Sequence, residues 1–138
     1  MTRPGQEALD RLLIQELRGA YARAIDQQDW EAATDIFTDD AVVEYRDGTL
    51  HGGQEVYEYW RENVDYEYSM HTMQMPQLEV TGDTATGQWY LFEYYIAADG
   101  TSGFVFGWYD DEYRRVDGEW KIAALDMDVV HDTGGYHV

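Results

Sequence analysis

Through residues 6–25 apolar side chains recur every four positions, at Leu9, Leu13, Leu17, Tyr21 and Ile25, with Leu12, Ala20 and Ala24 beside them. That spacing predicts an amphipathic helix with the stripe turned to a core. Asp29 is positioned to cap a second, short helix that carries Trp30, Ala33 and Phe37 on one face. Asp39-Asp40 breaks into a strand over residues 41–46, in which Ala41, Val43 and Tyr45 share a side, and Asp47-Gly48 turns the chain. Gly52-Gly53 leads into a third helix with Val56, Trp60 and Val64 along its buried stripe.

The remainder reads as strands, over residues 66–80, 84–96, 102–116 and 119–130, with turns at Gly82-Asp83, Asp99-Gly100 and Asp117-Gly118. Asp-Gly favours a hairpin because a type I′ turn needs positive φ at both central residues. Pro76 inside the first long strand predicts a bulge or an edge position. Three helices followed by antiparallel strands predict an α+β fold, with the helices on one face of a curved sheet. A concavity between them would be lined by Trp89, Tyr95, Phe104, Phe106 and Trp108, although an aromatic stripe is also how an ordinary core reads.

At 138 residues the chain is expected to form one domain, over 1–138, and 44% hydrophobic content supports a real core. It has no cysteine, which excludes disulfides, thiolate metal sites and cysteine nucleophiles. The formal net charge is −19, with Lys121 the only lysine. Nucleic acid and anionic membranes require a basic footprint, so neither is an expected partner. Acidic side chains spread through the whole chain instead suggest a solvated shell, as in proteins of high-salt hosts. No apolar run approaches the length of a membrane span, and no signal peptide is visible, so a cytoplasmic location is expected. No metal-ligand spacing, G-x-G-x-x-G or P-loop sequence occurs, and no cofactor is expected.

His71 carries the most chemical information. It shares a strand face with Met73 and Met75, so it points into apolar space. There it is either a satisfied core histidine or a base, depending on a nearby carboxylate. Asp26, at the end of the first helix, is the natural partner, or else a turn carboxylate. Tyr21 lies five residues earlier, about 140° around an ideal helix. Both reach one pocket only if that pocket wraps around the helix end. Tyr45 offers a second hydroxyl, or packs. Asp126 and Asp128 form an acidic face on the last strand, and His131 and His137 stand in the tail.

The hairpin sequence Tyr109-x-Asp111-x-Tyr113-x-Arg115-x-Asp117-Gly118-x-Trp120-Lys121-Ile122 resembles that of the SnoaL-like branch of the nuclear transport factor 2 superfamily. The resemblance implies a cone-shaped barrel of a curved, mostly antiparallel sheet on three N-terminal helices, homodimerisation through the exposed sheet face, and a small apolar ligand in the cone. The tyrosine, aspartate and strand histidine at positions 21, 26 and 71 are similar to the catalytic set of bile-acid dehydratases and, in the Asp-His pair, scytalone dehydratases. It implies that Asp26, His71 and Tyr21 are catalytic; the strand faces read above add Tyr45, Met73, Trp89, Phe106 and Trp108 as expected substrate contacts. The implied activity is a dehydratase-like lyase in which the imidazolium also protonates the departing hydroxyl. An isomerase or polyketide-type cyclase using the same pair, or a non-catalytic ligand-binding or dimerisation module, remains open. The residues after His71 lack the asparagine common in relatives, and the strand through Phe104 lacks a second pocket histidine.

Overall fold

A computed structural model describes residues 3–135. The long helix α1 (Gln6–Asp26) is followed by a 3-10 turn (Trp30–Ala32), the short α2 (Ala33–Ile36), strands β1 (Phe37–Tyr45) and β2 (Gly48–His51), and α3 (Gly52–Asn63). Four long strands complete the fold: β3 (Tyr66–Thr81), β4 (Thr84–Ala97), β5 (Ser102–Val116) and β6 (Glu119–Asp132). All six strands form one sheet in the order β2-β1-β6-β5-β4-β3. Pairing is antiparallel except between β1 and β6, which run parallel, so the sheet is mixed and does not close. The expected α+β cone is therefore an open one, with the helices on its concave side.

The turns follow backbone chemistry. Asp117 and Gly118 both have positive φ, at 52° and 83°, as the tight hairpin requires. At Pro76 the β3–β4 register slips between Gln74 and Gln77, with Met75 at a φ of 54°: proline cannot donate to the ladder, and β3 is a sheet edge. Gly52 starts α3 at positive φ, and a Cβ there would stand 2.5 Å from the Asp39 carbonyl oxygen. Two expectations shift here. Phe37 opens β1 instead of closing the second helix, and β2 goes unannounced because Leu50 is its single large apolar residue.

Helix α1 buries a different face from the one its leucines predict. Asp10, Ile14, Arg18, Tyr21 and Ile25 point inward, whereas Leu9, Leu12 and Leu13 are exposed. The inward charges are matched by the sheet. Asp10 accepts from Arg115 Nη1 at 2.9 Å and from Trp120 Nε1 at 3.1 Å. Those bonds, the Arg115 contact foremost, hold its carboxyl down at about 2. Arg18 pairs with Asp111. Once a charge is paired and hydrogen-bonded its burial is tolerated, and the periodicity of apolar residues loses its authority.

The sheet faces are likewise set by alternation. On β5, Val105, Tyr109, Asp111 and Tyr113 face the helices. Phe104, Phe106 and Trp108 lie on the opposite, outer face, each 42–43% exposed. Strand periodicity leaves no choice, since a residue in phase with Tyr109 cannot share a face with Trp108.

Candidate active site

The end of α1 meets the middle of β3. Asp26 is the last residue of the helix, where carbonyl ends disfavour a carboxylate. Three donors offset this: Ser69 Oγ at 2.8 Å, the His71 backbone N–H at 2.9 Å and His71 Nδ1 at 2.6 Å. Because a carboxylate only accepts, Nδ1 carries the hydrogen and Nε2 is the basic nitrogen. The imidazole is nearly enclosed, its side chain 7% exposed, and Asp26 is 20% exposed.

The other side of the ring holds a residue that the sequence reading did not single out. His71 pairs across the sheet with Glu93, whose Oε1 lies 3.3 Å from Nε2. Burial works against the imidazolium, but the Glu93 charge and the Asp26 bond outweigh it and raise the His71 pKa above its ordinary value. Burial also raises the Glu93 carboxyl, against the lowering effect of His71 and a Tyr66 hydrogen bond. Both shifts favour retention of a proton between the two groups.

His71 and Glu93 open onto a cavity of about 360 Å³, lined also by Tyr21, Tyr45, Tyr66 and Tyr109. Tyr21 enters from α1 and His71 from β3, whereas Asp26 is not among the lining residues and reaches the cavity only through the imidazole it holds. Tyr21 and Tyr45 share a hydroxyl–hydroxyl bond of 2.8 Å, and Trp60 Nε1 donates to Tyr45 Oη at 3.1 Å. Burial holds the Tyr21 and Tyr45 phenols well above their ordinary pKa, so both remain neutral donors. Behind them Arg18 stands between the Tyr21 and Tyr109 rings, its guanidinium carbon 4.5 and 4.1 Å from their centroids. It pairs with Asp111 through Nε at 2.8 Å, and Tyr113 Oη donates to the same carboxylate.

The anticipated substrate contacts divide. Tyr45 lines the cavity, together with Met127 from β6. Met73 and Trp89 face the helices but stand outside the lining. Trp89 is four residues from Glu93 along β4, about 13 Å at strand rise, and donates its indole N–H to Tyr113 Oη. Phe106 and Trp108, with Phe104, are excluded by lying on the outer face. Asp126 and Asp128 are exposed, and His131 stacks on Phe106 there, 6.1 Å between centroids. His137 lies outside the described residues. A signal for the unnoticed members does exist: Arg18, Glu93 and Asp111 are charged residues in phase with buried neighbours, as in Leu91-Glu93-Tyr95.

A larger groove of about 890 Å³ lies elsewhere, around Arg11, Pro76, Glu79 and Glu112. Its carboxylates at Glu44, Glu79, Asp110, Glu112 and Asp126 are exposed, the buried Asp111 at its wall is paired with Arg18, and no imidazole is among the described lining residues. The buried acid–imidazole geometry belongs to the smaller cavity.

Among known proteins, the family model described as SnoaL-like domain matches residues 6–126. An uncharacterised protein of Mycobacterium tuberculosis is 31% identical over 121 residues, covering 84% of this chain and 82% of that protein. A hexachlorocyclohexane dehydrochlorinase, LinA type 2, superposes with a TM-score of 0.86 at 23% identity, over 96% of this chain and 94% of its own. Two structures from Novosphingobium aromaticivorans are similar as well. One, provisionally assigned as a scytalone dehydratase, has a TM-score of 0.89 at 18% identity, over 99% and 93% of the two chains. The other, provisionally assigned as an aromatic ring hydroxylase, has a TM-score of 0.85 at 30% identity, over 92% and 94%.

Proposed function

The chain belongs to the SnoaL-like domain family, and from that premise and the site geometry we propose that it is a cofactor-independent lyase. It dehydrates, or otherwise eliminates from, a small apolar carbonyl compound. The observation that carries this reading is the 2.6 Å contact between Asp26 Oδ1 and His71 Nδ1 at the wall of a cavity sized for a small molecule. Trp89, Phe104 and Trp108, the residues that would fill such a hollow in a purely structural module, do not line it. Elimination is also the chemistry in the names of two structural neighbours, the dehydrochlorinase and the protein provisionally assigned as a scytalone dehydratase.

In this mechanism His71 Nε2 takes the proton α to the carbonyl. Asp26 holds the tautomer and stabilises the imidazolium that forms. Tyr21 donates to the oxygen of the developing enolate. The Trp60 indole donates to Tyr45; with Tyr45 as the donor in the hydroxyl–hydroxyl bond it shares with Tyr21, the Tyr21 hydrogen is left for the substrate. A neutral donor in a dry pocket stabilises charge as it develops.

The test is dehydration of β-hydroxycyclohexanone to the conjugated enone, followed by ultraviolet absorbance. His71→Ala is expected to lower the rate by at least ~10²–10⁴-fold, the usual worth of general acid–base catalysis, while still unfolding cooperatively. A fully active variant overturns the assignment.

A further inference from the structure

An elimination needs an acid as well as a base. One imidazole performing both tasks must reach the α hydrogen and the departing oxygen in turn. Here its basic nitrogen already has a neighbour: Glu93 Oε1 is 3.3 Å from Nε2, its side chain 3% exposed, and both groups line the same cavity. Building on the lyase reading, we propose that Glu93 is a second catalytic residue, the general acid that protonates the leaving hydroxyl while His71 serves as base.

The proton count closes. In the reactive resting tautomer of the His71–Glu93 pair, the proton shared across the 3.3 Å contact sits on Glu93, and His71 carries hydrogen on Nδ1 alone, turned to Asp26. The substrate enters beside Nε2. The Cα–H bond breaks as its hydrogen moves to Nε2, and its electrons pass through the enolate into the new C=C bond. The C–O bond breaks as the Glu93 hydrogen joins the leaving oxygen, and water departs. Glu93 is then a carboxylate facing an imidazolium across the 3.3 Å contact, and transfer from Nε2 to Oε1 restores the resting state without solvent. No oxidant, metal or co-reactant takes part.

The surroundings bias Glu93 toward its protonated form. The groups acting on Glu93 are His71 and Tyr66 from β3, Asp26 from α1 and Asp132 from β6. Desolvation leads and raises the carboxyl above its ordinary range, the Asp26 and Asp132 charges adding to it against the lowering effect of His71 and the Tyr66 hydrogen bond. A raised carboxyl placed in a cavity beside an oriented imidazole is the arrangement that general acids require. A merely structural glutamate would also hold the histidine, so the test must separate the two steps of the reaction.

Glu93→Gln preserves size and a donor toward Nε2 but has no acidic proton. Two probes are used: dehydration of β-hydroxycyclohexanone, which needs acid and base, and α-hydrogen exchange of cyclohexanone in D₂O by NMR, which needs only the base. The expected result is a ~10²–10⁴-fold loss of dehydration, with exchange falling by less than about tenfold. His71→Ala loses both. Dehydration by Glu93→Gln at the wild-type rate overturns the role of Glu93 and leaves the Asp26–His71 reading intact. Equal loss of both activities in a cooperatively folded Glu93→Gln assigns the residue to positioning His71, and overturns the acid role. A wild-type protein inert toward both ketones overturns the lyase reading, and the acid role with it.

Discussion

Asp26 Oδ1 lies 2.6 Å from Nδ1 of His71, and Oδ2 accepts the backbone N–H of the same histidine at 2.9 Å. One carboxylate thereby fixes both the ring and the strand that carries it. An imidazole held this way presents a single nitrogen to the cavity, and its tautomer is set by chemistry outside the cavity.

Asp26→Asn replaces one acceptor with an amide N–H directed at groups that are themselves donors. The ring must turn or change tautomer, and Nε2 ceases to be the base. Dehydration of β-hydroxycyclohexanone is expected to fall by about 10²–10⁴-fold. Stability should change with a defined sign. Burial opposes the imidazolium, but Glu93 and Asp26 together raise the folded pKa of His71 above its ordinary value. A raised pKa contributes stability that is fully present below the unfolded value and lost as pH rises through the folded one. The stability deficit of Asp26→Asn, read by urea unfolding, should be larger near pH ~6 than near pH ~9. A deficit that grows with pH contradicts this linkage.

Arg18 and Asp111 are a charge pair removed from water, with side-chain exposures of 1% and 0%. Removing one partner strands the other. Asp111→Leu is expected to cost about 3–5 kcal/mol, and Arg18→Met alone a similar amount. The double variant Arg18→Met, Asp111→Leu should recover most of the loss, because two apolar side chains carry no desolvation penalty. Chemical denaturation of the three variants gives the cycle, and additive losses would refute the coupling.

The outer face of the sheet carries Tyr68, Met70, Tyr90, Phe104, Phe106 and Trp108, all at least 42% exposed. Ring contacts run across it from Phe104 to Phe92 and Tyr94. Apolar patches of this kind mark interaction surfaces, and we propose that two copies of the chain pair through it. Trp108→Asp should shift the mass seen by light scattering from dimer to monomer. Exposed Asp110, Asp126 and Asp128 share this face, so added salt should tighten the pairing by screening like charges. A wild-type protein that is monomeric at high salt contradicts the proposal.

Much of the architecture is legible in local pattern. Three helices, four long strands, the Asp117-Gly118 turn and the bulge at Pro76 each follow from short-range rules of φ, hydrogen bonding and period. The meeting of Asp26 with His71 was legible only as a possibility, because 45 residues separate them along the chain. Glu93 went unnoticed for a related reason: its importance lies in the strand register that sets it opposite His71.

The faces were the least legible feature. In β5 the aromatic stripe Phe104, Phe106 and Trp108 outweighs Gly103, Val105 and Gly107 by any hydropathy measure, yet the small residues face inward. In α1, Asp10 and Arg18 displaced leucines from the core because the sheet supplied Arg115 and Asp111 as partners. The sequence by itself determined where helices, strands and turns form, since those depend on neighbours a few bonds away. Which face is buried, which charges are neutralised and which side chains share the cavity were decided by tertiary structure, because charge pairing and burial are properties of residues brought together from distant parts of the chain.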